Sequence, residues 1–229
     1  MNYGFMKVAT GVPVAKVADC AFNVQQIETI IAQAEGKGTE IICFPELCIT
    51  GYTCQDLFSQ QLLLDEAETA LLKLLDFTRS LDIISIVGLP VPVGGLLLNC
   101  AAVIHKGSLL GLVAKTYLPN YKEFYEKRWF TSAKDISSVD VRIAGQTVHL
   151  SSGTTLFRTG DGALFGVEIC EDVWAVTPPS NRLALAGAEL IFNLSASNEL
   201  IGKHSYLMSL LSQQSARTMT AYIYSGCGY

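Results

Sequence analysis

The sequence predicts an α/β protein in four layers, an α-β-β-α sandwich of two mixed sheets with helices outside them. Three observations predict it. Helix-period and strand-like apolar patterns alternate in both halves of the chain. The strand-like runs are short and nearly all apolar, as strands buried on both faces are. One pair of them is joined by a tight turn, so antiparallel pairing must sit beside parallel crossovers. With 229 residues, half of them apolar, the chain can bury a sizeable core in one domain, and no Pro/Gly/Ser-rich linker divides it.

Taken in order, Asn23 can cap a first helix that carries Val24, Ile27, Ile30, Ile31 and Ala34 at helical spacing and ends at Gly36 and Gly38. A buried strand over 40–44 follows, then a loop over 45–55, a helix over 62–81 and a second buried strand over 83–89. Strands over 97–104 and 109–114 pair through the turn His105-Lys106-Gly107-Ser108. The stretch 115–138 is rich in aromatic and charged residues and too long to be only a connector. Strands over 154–158 and 163–169 come next, joined at Thr159-Gly160-Asp161-Gly162. A helix over 179–187, a strand over 189–194, a helix over 203–220 and a strand over 221–225 complete the pattern. Stopping just after that strand would leave a sheet edge open, so the fold is expected to be truncated at its C-terminus, part of a longer protein.

The net charge of −5, with lysine and arginine scattered, argues against a nucleic-acid surface. No apolar run approaches the roughly 18 residues of a membrane span, and the first residues lack a secretion-leader pattern. A cytoplasmic protein with no membrane partner is the expectation. Seven cysteines at uneven spacing read as reduced thiols rather than a disulfide framework. With no Cys-x2-Cys pair and with His105, His149 and His204 far apart, no metal site is expected.

Three residues close strand-like runs and carry chemistry. Glu46 follows Phe44-Pro45, where proline turns the chain off the end of a buried strand. Lys115 directly follows a hairpin strand. Cys170 closes the run 163–169 and precedes Glu171-Asp172-Val173-Trp174. Alone, each has an ordinary reading as a loop charge, a surface lysine or a packed thiol. Together, at strand C-terminal ends where α/β folds gather reactive groups, they form a base, a cation and a nucleophile. The acids beside Cys170 raise a thiol pKa from its free value of about 8.5, so the thiol needs both partners.

The segments Phe-Pro-Glu-Leu-Cys-Ile-Thr-Gly-Tyr (44–52), Lys-Thr-Tyr-Leu-Pro-Asn-Tyr-Lys-Glu-Phe-Tyr-Glu (115–126) and Ile-Cys-Glu-Asp-Val-Trp (169–174) resemble the nitrilase superfamily of carbon–nitrogen hydrolases. Within it they are similar to the glutaminase domain of glutamine-dependent NAD synthetases, and the resemblance runs from about residue 5 to the end, so that 1–229 would be one nitrilase-like domain. It implies a Glu46–Lys115–Cys170 triad that hydrolyses the side-chain amide of glutamine through a thioester. It further implies that Glu123 orients the lysine, and that Tyr52, Tyr121, Phe124, Glu171, Ser197 and Lys203 bind glutamine. Glu171 would then meet the α-ammonium and Lys203 the α-carboxylate, although a lysine lacks the bidentate fork of arginine.

Ammonia would pass to a C-terminal synthetase domain that amidates deamido-NAD with ATP and Mg, and assembly would be symmetric through this domain. The glutaminase step itself would need no cofactor. Neither Gly-x4-Gly-Lys-Ser/Thr nor Ser-Gly-Gly-x-Asp-Ser occurs, so the ligase function lies outside these residues. A stand-alone amidase or carbamoylase with the same triad, and a non-catalytic scaffold, remain open alternatives.

Overall fold

The computed structural model describes residues 4–151 and 153–228. Among the described residues four α-helices and eleven strands follow in the order β1 (Val8–Thr10), α1 (Cys20–Glu35), β2 (Ile41–Cys43), α2 (Gln61–Phe77), β3 (Ile84–Val93), β4 (Leu96–His105) and β5 (Ser108–Ala114). Then come β6 (Val139–Ile143), β7 (Gln146–Leu150), β8 (Phe157–Arg158), β9 (Leu164–Ile169), α3 (Pro179–Leu185), β10 (Leu190–Leu194), α4 (Lys203–Thr218) and β11 (Ala221–Ser225).

One sheet has seven strands in the order β1-β2-β3-β4-β5-β7-β6 and the other four in the order β11-β10-β9-β8. Both are mixed: β1, β2 and β3 run parallel while β3, β4 and β5 alternate, and β9, β10 and β11 run parallel with β8 reversed. The two-residue period of a strand divides the core. Ile41, Cys43, Ile84 and Ile86 meet Phe165, Val167, Ile169 and Phe192 between the sheets. Ile42, Phe44, Val87 and Leu89 face the other way, onto Val24, Ile27, Ile31, Leu71 and Leu74 of α1 and α2. On the far side Leu183 of α3 lies so close to β9 that a Cβ at Gly166 would meet it at 2.8 Å. Four layers result, as predicted.

Several boundaries differ from the sequence expectation. Asp19 caps α1 by accepting from the Phe22 N–H at 3.0 Å. Asn23 instead lies buried within the helix, where its amide accepts from Lys16 N–H (2.7 Å) and donates to the Lys16 and Ile49 carbonyls (2.8 and 3.0 Å). The helix expected to reach residue 81 stops at Phe77 and tightens into one 3-10 turn. The strand expected over 154–158 is ordered as a strand only at Phe157–Arg158. The β3/β4 and β6/β7 hairpins went unread; their turn pairs Gly94-Gly95 and Ala144-Gly145 both take positive φ, as Lys106-Gly107 does in the hairpin that was predicted.

Candidate active site

The three predicted residues stand at ends of strands from both sheets. Glu46 follows β2, where the loop crosses β3 at Gly88: a Cβ there would meet the Leu47 nitrogen at 2.3 Å, so only glycine lets the Glu46 loop lie this close. Lys115 follows β5, its N–H donating to the Asn99 carbonyl at 2.8 Å. Cys170 follows β9 at a φ of +46°, a conformation that a side chain adopts only when its surroundings impose it. Its N–H donates to Asn193 Oδ1 at 3.1 Å.

The side chains converge in the interior, all three buried. Lys115 Nζ donates to Glu46 Oε1 at 2.6 Å and to Glu126 Oε1 at 2.7 Å, and neither lysine nor Glu46 side chain is exposed. Asn99 Nδ2 donates to Glu46 Oε1 at 2.7 Å and the Ala196 N–H to Glu46 Oε2 at 3.1 Å. Burial would strip Lys115 of its proton, but Glu46, Cys170 and Glu126 more than reverse this and hold its pKa above the ordinary lysine value. For Cys170, burial and then the Glu46 carboxylate push the thiol well up, against the pull of Lys115. The resting sulfur is therefore a thiol, and any use of it as a nucleophile would require a base to take its proton.

Asp172 ties the strand ends together. Its Oδ1 accepts the N–H groups of Thr116 (3.1 Å) and Tyr117 (2.7 Å), and Oδ2 that of Ile169 (3.0 Å), so the exits of Lys115 and Cys170 from their strands share one buried carboxylate. Burial and neighbouring Glu168 push this carboxyl to about 8, while the Ile169 and Tyr117 N–H groups pull it down.

A cavity of about 180 Å³ opens over Cys170, lined also by Tyr121, Phe124, Glu171, Trp174, Ser197 and Lys203. It is smaller than the roughly 300–1,000 Å³ of pockets for drug-sized ligands, which favours a small substrate. Tyr121 donates to Glu171 at 3.0 Å, and Lys203 Nζ to Ser197 Oγ at 2.6 Å. Five of the six expected substrate-binding residues thus share one cavity with Cys170. The sixth, Tyr52, stands behind it, donating to Glu126 at 2.6 Å with its ring edge against Phe124.

Glu123 is a correction. The second carboxylate on Lys115 is Glu126, buried and also held by Tyr52, whereas Glu123 is exposed and bonds Asn198. Burial and Glu46 raise the Glu126 carboxyl, against the pull of Lys115. Both glutamates lie in the same aromatic run, and the turn at Tyr125–Arg128 directs Glu126 inward. Asn99 and Asn193 were also missed, although a lone asparagine interrupting an apolar strand is a visible signal.

Residues 7–225 match the carbon–nitrogen hydrolase family. The chain belongs to that family. This carbon–nitrogen hydrolase is 37% identical over 229 residues to a protein of Mycobacterium bovis named glutamine-dependent NAD(+) synthetase, a match covering 99% of this chain and 33% of that one. A relative of the same name from Aquifex aeolicus is 35% identical over 198 residues, covering 86% of this chain and 31% of its own length. The chain spans about a third of the length of these relatives. A solved glutamine-dependent NAD(+) synthetase from Cytophaga hutchinsonii superposes with a TM-score of 0.85 at 29% identity, over 97% of this chain and 36% of that one. An amidase from Nesterenkonia sp. has the same fold, with a TM-score of 0.76 at 20% identity over 97% of this chain and 76% of that one.

Proposed function

We propose that this hydrolase domain cleaves the side-chain amide of glutamine to supply ammonia. The observation that carries the reading is the pairing of Glu171 and Lys203, opposite charges on one small cavity whose other lining includes Cys170. An α-amino acid presents both complementary charges, and its side chain is then directed at the sulfur.

Glu46 takes the thiol proton as the sulfur attacks the amide carbon. Lys115, with the backbone N–H of Glu171, bears the oxyanion, and one such donor is typically worth about 10²–10³ in rate. The proton passes to the departing nitrogen, which leaves as ammonia, and a γ-glutamyl thioester remains on Cys170. Water, activated by Glu46, releases glutamate and restores the thiol. Glu126 orients Lys115 through Oε1, while its buried Oε2 has no hydrogen-bond partner among the described residues. This step uses no metal or cofactor.

The relatives' name, glutamine-dependent NAD(+) synthetase, supports NAD synthesis as the destination of the ammonia. The proposal extends to a C-terminal synthetase domain that amidates deamido-NAD with ATP and Mg, within a homo-oligomer in the cytoplasm. Among the described residues no helix is long and apolar enough to cross a membrane, and all seven cysteines are free. Glutamine-dependent ammonia release by the full-length protein, with Cys170→Ala beside it, tests the reading. The variant should lose glutamine use and keep ammonia-dependent NAD synthesis; no release by wild type would reject the assignment.

A further inference from the structure

Ser195 directly follows β10 and carries on its pairing with β11, its N–H donating to the Ser225 carbonyl at 2.8 Å. Residues two apart on such a strand face the same way. Asn193 and Ser195 therefore both address Cys170, the first its backbone N–H at 3.1 Å, the second its sulfur at 3.3 Å. The neighbouring β11 repeats the spacing, with Tyr222 bonded to Asn193 and Tyr224 to Ser195. Ser195 is fully buried, and Asn193, Ser195, Tyr222 and Tyr224 all lie outside the triad.

Proton counting gives the bonds a direction. A serine hydroxyl has one proton to donate and two lone pairs to accept with. The Ser197 N–H can only donate, and it does so to Ser195 Oγ at 3.3 Å. Once Glu46 has taken the thiol proton, the sulfur can only accept. The Ser195 proton then lies on the sulfur bond, and Tyr224 fills the remaining lone pair as donor. Burial and the adjacent Cys170 hold the Tyr224 phenol above its ordinary pKa, so it keeps the proton this requires.

We infer that Ser195, oriented by Tyr224, is a further catalytic residue whose hydroxyl hydrogen-bonds the Cys170 sulfur as the thiolate forms and attacks, and again as the thioester expels it. Ser195 keeps its proton throughout and Glu46 remains the base. Hydrogen bonds to an ionised partner are the strong class, and this one exists in full only while the sulfur is anionic. The inference rests on Cys170 as nucleophile and is independent of which amide is cleaved.

The test uses the full-length protein and two readouts: iodoacetamide alkylation of Cys170 against pH, followed on its own peptide by mass spectrometry, and steady-state glutamine hydrolysis. Ser195→Ala should move the alkylation midpoint up by about one pH unit and lower kcat about tenfold with KM little changed, the worth of one charge-assisted hydrogen bond. Tyr224→Phe should shift both in the same direction by less, and Ser195→Thr, which restores the hydroxyl, should return the alkylation profile to wild type. An alanine variant that loses turnover while its alkylation profile superposes on wild type would make Ser195 structural and overturn the inference. If the alanine variant does not fold, an unshifted profile for Tyr224→Phe overturns it equally. Should wild type fail to hydrolyse glutamine while the alkylation shift is present, the substrate assignment falls and Ser195 keeps its role.

Discussion

Lys115 Nζ lies 2.6 Å from Glu46 Oε1 with both side chains wholly out of solvent, across 69 residues of sequence. Breaking a buried pair leaves the remaining charge uncompensated, at a cost of about 3–5 kcal/mol. Lys115→Met leaves two such carboxylates and should lose stability on that scale in urea titration. Glutamine turnover should fall by about 10²–10³ with it. Lys115→Met/Glu46→Gln should regain part of the stability and none of the activity. A single variant as stable as wild type would show that the pair is not held as described.

Glu46 should separate thiolate abundance from catalysis. Its carboxylate raises the Cys170 thiol, so removing the charge must lower that pKa. Glu46→Gln is expected to alkylate at lower pH than wild type, while turnover drops by about 10²–10⁴ for want of a base. More thiolate with less activity is the signature; turnover that rises with the thiolate would remove Glu46 from the base role.

Glu126 and Glu123 are three residues apart and should behave differently. Glu126→Gln loses one of the two carboxylates on Lys115 and should lower kcat by at least about tenfold. Glu123→Gln, at an exposed residue, should stay within about twofold, since surface changes lie within roughly ±0.5 kcal/mol. The reverse pattern in steady-state kinetics would return the second glutamate to Glu123.

Asp172 accepts three backbone N–H groups from two strand exits. The ionised carboxylate offers them acceptors only, whereas the amide nitrogen of asparagine would face a donor on one side. Asp172→Asn should destabilise by about 1–3 kcal/mol in thermal or urea unfolding and lower kcat as Lys115 and Cys170 lose their common anchor. Wild-type stability and rate in this variant would mean that the strand ends are held elsewhere.

Glu46, Lys115 and Cys170 could be singled out as candidates because each follows an apolar run, and strand termination can be read from Pro45, from the hairpin and from the acidic segment after Cys170. The layered architecture was legible for the same reason: alternation of period reports which faces are buried. Hairpin β6/β7 was not, since its turn places Ala144 at a φ of +48°, which alanine does not announce. Nor was the choice between Glu123 and Glu126, because an irregular segment has no period to say which side faces inward.

By itself, then, the sequence determined the layers, the family resemblance and the three residues, Glu46, Lys115 and Cys170, that the proposed chemistry uses. Tertiary structure alone decided which groups surround them. Glu46 accepts from Ala196 across 150 residues, and Cys170 is backed by Asn193 and Ser195 from the next strand of its sheet. Such contacts follow from the packing of two sheets and the register between β9 and β10, neither of which leaves a mark on local propensity or spacing.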